Sequence, residues 1–116
     1  MSWDIELRDP VEARLYTDVP HHEGGGTTVD GGYTETWLNV TYNYAEVTHL
    51  IGFSFGGLHE RFAEDTIPEL RAAVMKLGTN PMTDDYWIPT PGNVGIAIAT
   101  LLAWAEQRPE GMWYIN

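Results

Sequence analysis

The chain has 116 residues, 43% apolar and 20% charged, with five Trp and six Tyr; this is the length and composition of one globular domain, and it excludes a disordered chain, which is poor in aromatics. Acidic residues outnumber Lys and Arg by 17 to 6, a formal charge of −11, and such a field repels nucleic acid and anionic membranes. Cysteine is absent, which excludes disulfides, thiolate metal sites and cysteine nucleophiles.

Trp3, Ile5 and Leu7 alternate with Asp4, Glu6 and Arg8, the period of a half-buried strand. Asp9-Pro10 ends it, and Ala13 to Thr17 is expected to return as the second strand of a hairpin. Asp18 to Gly32 reads as a loop, with Pro20, Gly24-Gly25-Gly26 and Asp30-Gly31-Gly32. Thr34 to Tyr44 is the strongest strand, rich in Thr, Trp, Val and Tyr. Leu38, Val40 and Tyr42 should face the core, with Trp37, Asn39, Thr41 and Asn43 on the other side.

Asn43 is then expected to cap a helix beginning near Tyr44, with Val47, Leu50 and Ile51 inward. A strand over Val47 to Phe53 competes with it and stays open. Thr66-Ile67-Pro68-Glu69 has the form of a capping box, followed by Ile67, Leu70, Val74 and Leu77 at helical spacing and by Gly78 as the C-terminal cap. Thr79 to Ile88 is a polar, acidic loop ending in aromatics. Thr90-Pro91 predicts a second helix start, with Thr90 as cap and Pro91 at the first helical position. Val94, Ala97, Ile98, Leu101, Leu102 and Ala105 form its apolar face. Arg108-Pro109-Glu110-Gly111 is a turn, and Met112 to Ile115 a closing strand with Trp113 and Ile115 on one face. The order predicts a single α+β domain over residues 1–116, a small antiparallel or mixed sheet with two to three helices packed on one face.

The first residues carry no basic segment followed by an apolar run, and no stretch reaches the ~18 apolar residues of a spanning helix. The expectation is a cytoplasmic protein without membrane association.

Chemistry-bearing motifs are few. Gly52-Phe53-Ser54-Phe55-Gly56 matches G-x-S-x-G, but only His59 follows it, and an α/β-hydrolase needs an acid and then a histidine further on. A glycine-rich turn with two buried phenylalanines is the simpler reading. His21-His22-Glu23 offers metal-ligand types, yet neighbours in an extended loop point apart. Asp84-Asp85 and Glu64-Asp65 fit an acidic surface and a helix start. Asn39-Val40-Thr41 is a glycosylation sequon without a secretory context. No catalytic set, metal or cofactor is expected, and the balance is against an enzyme.

The polar and aromatic residues that packing accounts for least are Trp37, Asn39, Thr41 and Asn43 on the strand, and Tyr86, Trp87, Thr90 and Asn93 at the second helix start. Aromatic faces beside free helix amides suit a small-molecule or nucleotide pocket.

Trp37-Leu38-Asn39-Val40-Thr41-Tyr42-Asn43-Tyr44, Thr66-Ile67-Pro68-Glu69-Leu70, Asp84-Asp85-Tyr86-Trp87, Thr90-Pro91-Gly92-Asn93 and the tail Arg108 to Trp113 together resemble an uncharacterised family of small phage, prophage and gut-bacterial proteins. The resemblance runs from about Gly31 to the C-terminus. It implies a phage-associated origin, and with it the host-cell cytoplasm as location, and supplies no activity. The chain departs from the family at Pro91-Gly92-Asn93-Val94-Gly95, where Glu-Gly-Asn and a helix start with Lys or Arg are expected; losing those cations weakens the case for an anionic ligand. The serine motif is a second departure.

Two expectations follow. The first is a non-enzymatic phage-type accessory protein that binds and modulates a host or phage protein through an acidic docking surface, as a counter-defence inhibitor does. The alternative is a small-molecule or nucleotide-binding domain with its pocket near Trp87 and Asn93. Oligomeric state is open.

Overall fold

Alternation in Ser2–Arg8 makes strand β1, the centre of the sheet. Ile5 and Leu7 are wholly buried on one face, while Asp4, Glu6 and Arg8 line the other. The computed structural model describes residues 1–17, 27–28, 35–85 and 87–116. His21, His22, Glu23, the Gly24–Gly26 run, Thr34 and Tyr86 lie outside the described residues. β1 pairs antiparallel with β3 (Trp37–Thr41), Ile5 opposite Leu38 and Trp3 opposite Val40. Its other edge pairs antiparallel with β4 (Met112–Ile115), Leu7 opposite Trp113. The two residues of β2 (Thr27–Thr28) pair with β3, so the sheet is antiparallel in the order β2-β3-β1-β4.

Helices cover the apolar face. α1 (Ala45–Leu50) is short; α2 (Ala63–Leu77) and α3 (Pro91–Gln107) are long and pack on each other. Their buried residues, among them Leu70, Ala73, Ala97, Ile98, Leu101 and Trp104, join Ile5, Leu7, Leu38, Val40 and Trp113 in one core. This is the expected α+β arrangement. None of the described helices is long and apolar enough to cross a membrane.

Four local expectations are corrected. Ala13 to Thr17 does not form a strand; only Leu15 bridges Arg8, and the reversal is made by Asp9, whose Oδ1 accepts from the Val11 and Glu12 amides at 2.8 and 3.1 Å. β3 stops at Thr41, whose Oγ1 accepts from the Asn43 amide at 3.2 Å and starts a 3₁₀ turn, Tyr42–Tyr44. Tyr42 is therefore exposed and Tyr44 takes the core position. A helix and not a strand follows, with Val47 and Ile51 against the core, but Leu50 is 81% exposed.

The capping box is the fourth. α2 begins at Ala63, so Thr66 lies inside the helix. The first two helical amides are taken from outside: Ala63 donates to the Gly111 carbonyl at 2.7 Å and Glu64 to that of Pro109 at 3.0 Å. Residues Glu60 to Phe62 run beside β4, with the Glu60 amide on Trp113 O (2.8 Å) and the Trp113 amide on Arg61 O (3.0 Å). Thr66 is wholly buried; its hydroxyl donates to Ala63 O at 2.8 Å and accepts from the Trp113 indole Nε1 at 2.9 Å. The end of α2 is as expected, since Gly78 closes it at φ 70°.

Replacing Thr66 with Val keeps the shape but strands the buried indole N–H, which costs about 1–3 kcal/mol. Urea unfolding should show that loss in Thr66→Val and a much smaller one in Thr66→Ser; equal midpoints for Thr66→Val and wild type would rule out a structural role for this bond.

Arg61 pairs with Glu69, one of its two bonds being 3.0 Å, and ties the segment before α2 onto the helix. The guanidinium hydrogen bond holds the Glu69 carboxyl below its ordinary value of 4.5. A carboxyl depressed on folding stabilises fully above its unfolded value, and that contribution is lost as pH falls through the folded value. Glu69→Gln should thus lower the urea midpoint at about pH 7 and flatten its decline towards about pH 3.

Candidate functional site

The start of α3 forms as its sequence requires. Thr90 is extended (ψ 151°), and its Oγ1 accepts from the Asn93 amide at 3.1 Å, with Pro91 at the first helical position. The same hydroxyl donates to Pro81 O at 2.8 Å, which pulls the preceding loop over the helix start. Gly92 and Gly95 make this closeness feasible. A Cβ on Gly92 would lie 1.5 Å from Asn80 O, and one on Gly95 would lie 1.7 Å from Gly78 O.

Asn93 anchors the loop from inside. It is 2% exposed, and its Nδ2 donates to Ile88 O at 2.8 Å and to Asp85 O at 3.2 Å. Three short turns stiffen the loop: Asn80 Oδ1 accepts from the Met82 amide (3.1 Å), Thr83 Oγ1 from Asp85 (3.2 Å) and Asp85 Oδ1 from Trp87 (3.0 Å). Across the surface, Asn43 Nδ2 donates to Trp87 O at 3.3 Å, which joins the loop to the 3₁₀ turn ahead of α1.

Large apolar side chains nevertheless face outward here. Trp87 is 47%, Ile88 46% and Met82 82% exposed. Asp84 and Asp85 stand on the same loop, exposed. Glu46 and Leu50, four residues apart on the α1 that follows Asn43, are both exposed. The residues 42–51 and 79–90 contain no Lys or Arg. All five arginines lie elsewhere and each has a carboxylate partner: Arg8 with Glu6, Arg14 with Glu12, Arg61 with Glu69, Arg71 with Glu106 and Arg108 with Glu110. Among the described residues, Glu46, Asp84 and Asp85 form no ion pair; Lys76, the sixth cation, is exposed at the end of α2.

Of the residues singled out from sequence, the structure brings together Asn43, Trp87, Thr90 and Asn93. Trp37 and Asn39 lie apart on the outer face of β3, where Asn39 Nδ2 donates to Ser2 Oγ at 2.7 Å and Asp4 Oδ1 at 2.9 Å. Thr41 is buried at the end of the strand. Sequence reasoning missed Met82 and Ile88 as exposed members of this loop, and Glu46 and Leu50 as exposed on the α1 that follows Asn43; the lack of Lys and Arg in both segments was the available signal.

The other motifs are structural. Ser54 Oγ accepts from the Gly57 amide at 3.1 Å, in a turn that follows α1 instead of a strand, and Phe53 and Phe55 are buried edge to face. His59 Nδ1 accepts from the Ile115 amide at 3.0 Å. Among the described residues, no three His, Asp or Glu side chains are placed to hold a metal. A cleft of about 480 Å³ lies beside the β1 turn, lined in part by Arg8, Asp9, Arg14, Tyr16 and Glu35. Its arginines are already engaged, Arg8 by Glu6 and Ala13 O, Arg14 by Glu12. Burial pushes the Tyr16 phenol above its ordinary value, helped by Glu110 and Asp9.

Comparison with family models, curated proteins and solved structures yields no match. The chemistry of this surface is read from its own residues.

Asn93→Ala would leave two loop carbonyls without their buried donor, at about 1–3 kcal/mol. Amide exchange of residues 82–88 should quicken in that variant well beyond the rest of the chain; uniform exchange would show that Asn93 does not hold the loop.

Proposed function

We propose that the domain is a non-enzymatic docking module that binds another protein through the surface around Trp87. The observation that carries this reading is a tryptophan and an isoleucine held half-exposed by a loop whose backbone is bonded down at Asn43, Thr90 and Asn93. An ordered loop that presents Trp and Met beside carboxylates has the composition of a binding anchor with a polar rim. The phage-type resemblance of the sequence makes a host protein the partner in this proposal, and its modulation, as in counter-defence, the role.

The small-molecule reading draws less support. The Thr90 hydroxyl and the Asn93 amide hydrogens are already bonded within the fold. The surface is also acidic, which disfavours a nucleotide phosphate.

Immobilised wild type and Trp87→Ala, shown by circular dichroism to be equally folded, would be exposed to bacterial extract. At least one protein should be retained by wild type and lost from the variant. Identical retention by both would reject the Trp87 surface as the docking site.

A further inference from the structure

We infer that the partner segment is cationic and amphipathic, with Lys or Arg interleaved with apolar residues; this rests on the docking reading above. Two features of the loop and of α1, whose preceding turn is bonded to the loop through Asn43 and Trp87, specify it. The apolar part is Met82, Trp87 and Ile88 on the loop and Leu50 on α1, all exposed. The charged part is Glu46, Asp84 and Asp85, with His49 the only basic side chain in either segment.

Elsewhere on the protein each of the five arginines sits beside a carboxylate, while other carboxylates, Glu64 and Asp65 among them, form no ion pair among the described residues but have no such group of exposed apolar residues beside them in the chain. Glu46, Asp84 and Asp85 form no ion pair among the described residues, so an approaching cation gains attraction that it would not find at the paired sites. An anionic or purely apolar occupant would leave those carboxylates desolvated and unpaired, which is costly. Charge complementarity therefore selects a basic segment over nucleic acid, nucleotide or a second copy of this acidic chain.

The test is direct titration of the full chain with a short amphipathic peptide of leucine and lysine, by calorimetry at low and moderate salt. ATP and an otherwise identical leucine–glutamate peptide serve as contrasts. Binding of the lysine peptide alone, weakening with salt, is expected. Trp87→Ala should weaken it about thirtyfold. Glu46→Gln with Asp84→Asn should weaken it about tenfold, whereas Glu64→Gln with Asp65→Asn, the same charge change on α2, should have little effect.

Equal weakening by the two charge pairs would mean diffuse attraction to an acidic protein and would overturn the inference, as would binding indifferent to Trp87. If no peptide binds while retention from extract still depends on Trp87, the cationic partner is wrong and the docking surface stands. If retention is also indifferent to Trp87, both fail.

Discussion

The buried hydrogen bond from the Trp113 indole to the Thr66 hydroxyl is the constraint on which the rest of the structure depends. It joins residues 47 positions apart, both wholly shielded from water. A buried indole N–H needs an acceptor, and Thr66 supplies it only if α2 lies across β4 at that height. With α2 so placed, the 109–111 turn meets its first amides and Glu60 to Phe62 fall beside β4. α3 then packs on α2, and its first turn fixes the Trp87 loop. The position of the exposed surface is thus set by a contact on the opposite side of the core.

What could be read from the sequence was what is local. Thr90-Pro91 is a complete instruction within four residues, and the α3 start followed it. The alternation of β1 and the Gly78 cap are equally self-contained. The errors came where distant chain supplies a bond. Thr66 resembles a cap because Glu69 follows it by three, but Gly111 and Pro109 accept the amides that a cap would serve, and Glu69 turns to Arg61. Tyr42 has strand propensity, yet the Thr41 hydroxyl turns the chain one residue earlier.

The candidate site was legible in its residues more than in its role. Asn43, Trp87, Thr90 and Asn93 were singled out and do converge. The expectation of a pocket assumed that Asn93 and Thr90 would face a ligand; instead they face backbone carbonyls of the loop. A buried asparagine and an exposed tryptophan reverse the usual places of polar and apolar groups. That inversion requires tertiary contact and has no counterpart in local pattern. Leu50 was missed for a related reason: an apolar residue at helical spacing looks inward until the helix is known to end there, with Gly52 at φ 70° carrying the chain away.

The close seating of Gly92 on Asn80 has one further consequence. The loop is hydrogen-bonded down at Asn43, Thr90 and Asn93 in the unbound chain, so the partner proposed above would not need to supply the conformational entropy of fixing those points. Rigid recognition of this kind costs less of the gross interaction energy than folding on contact. Its association should behave as a collision between preformed surfaces, governed by charge at long range and by the indole at short range. A bulkier residue at position 92 would reach the partner only indirectly, by loosening the loop, so its signature would be thermodynamic before it was structural.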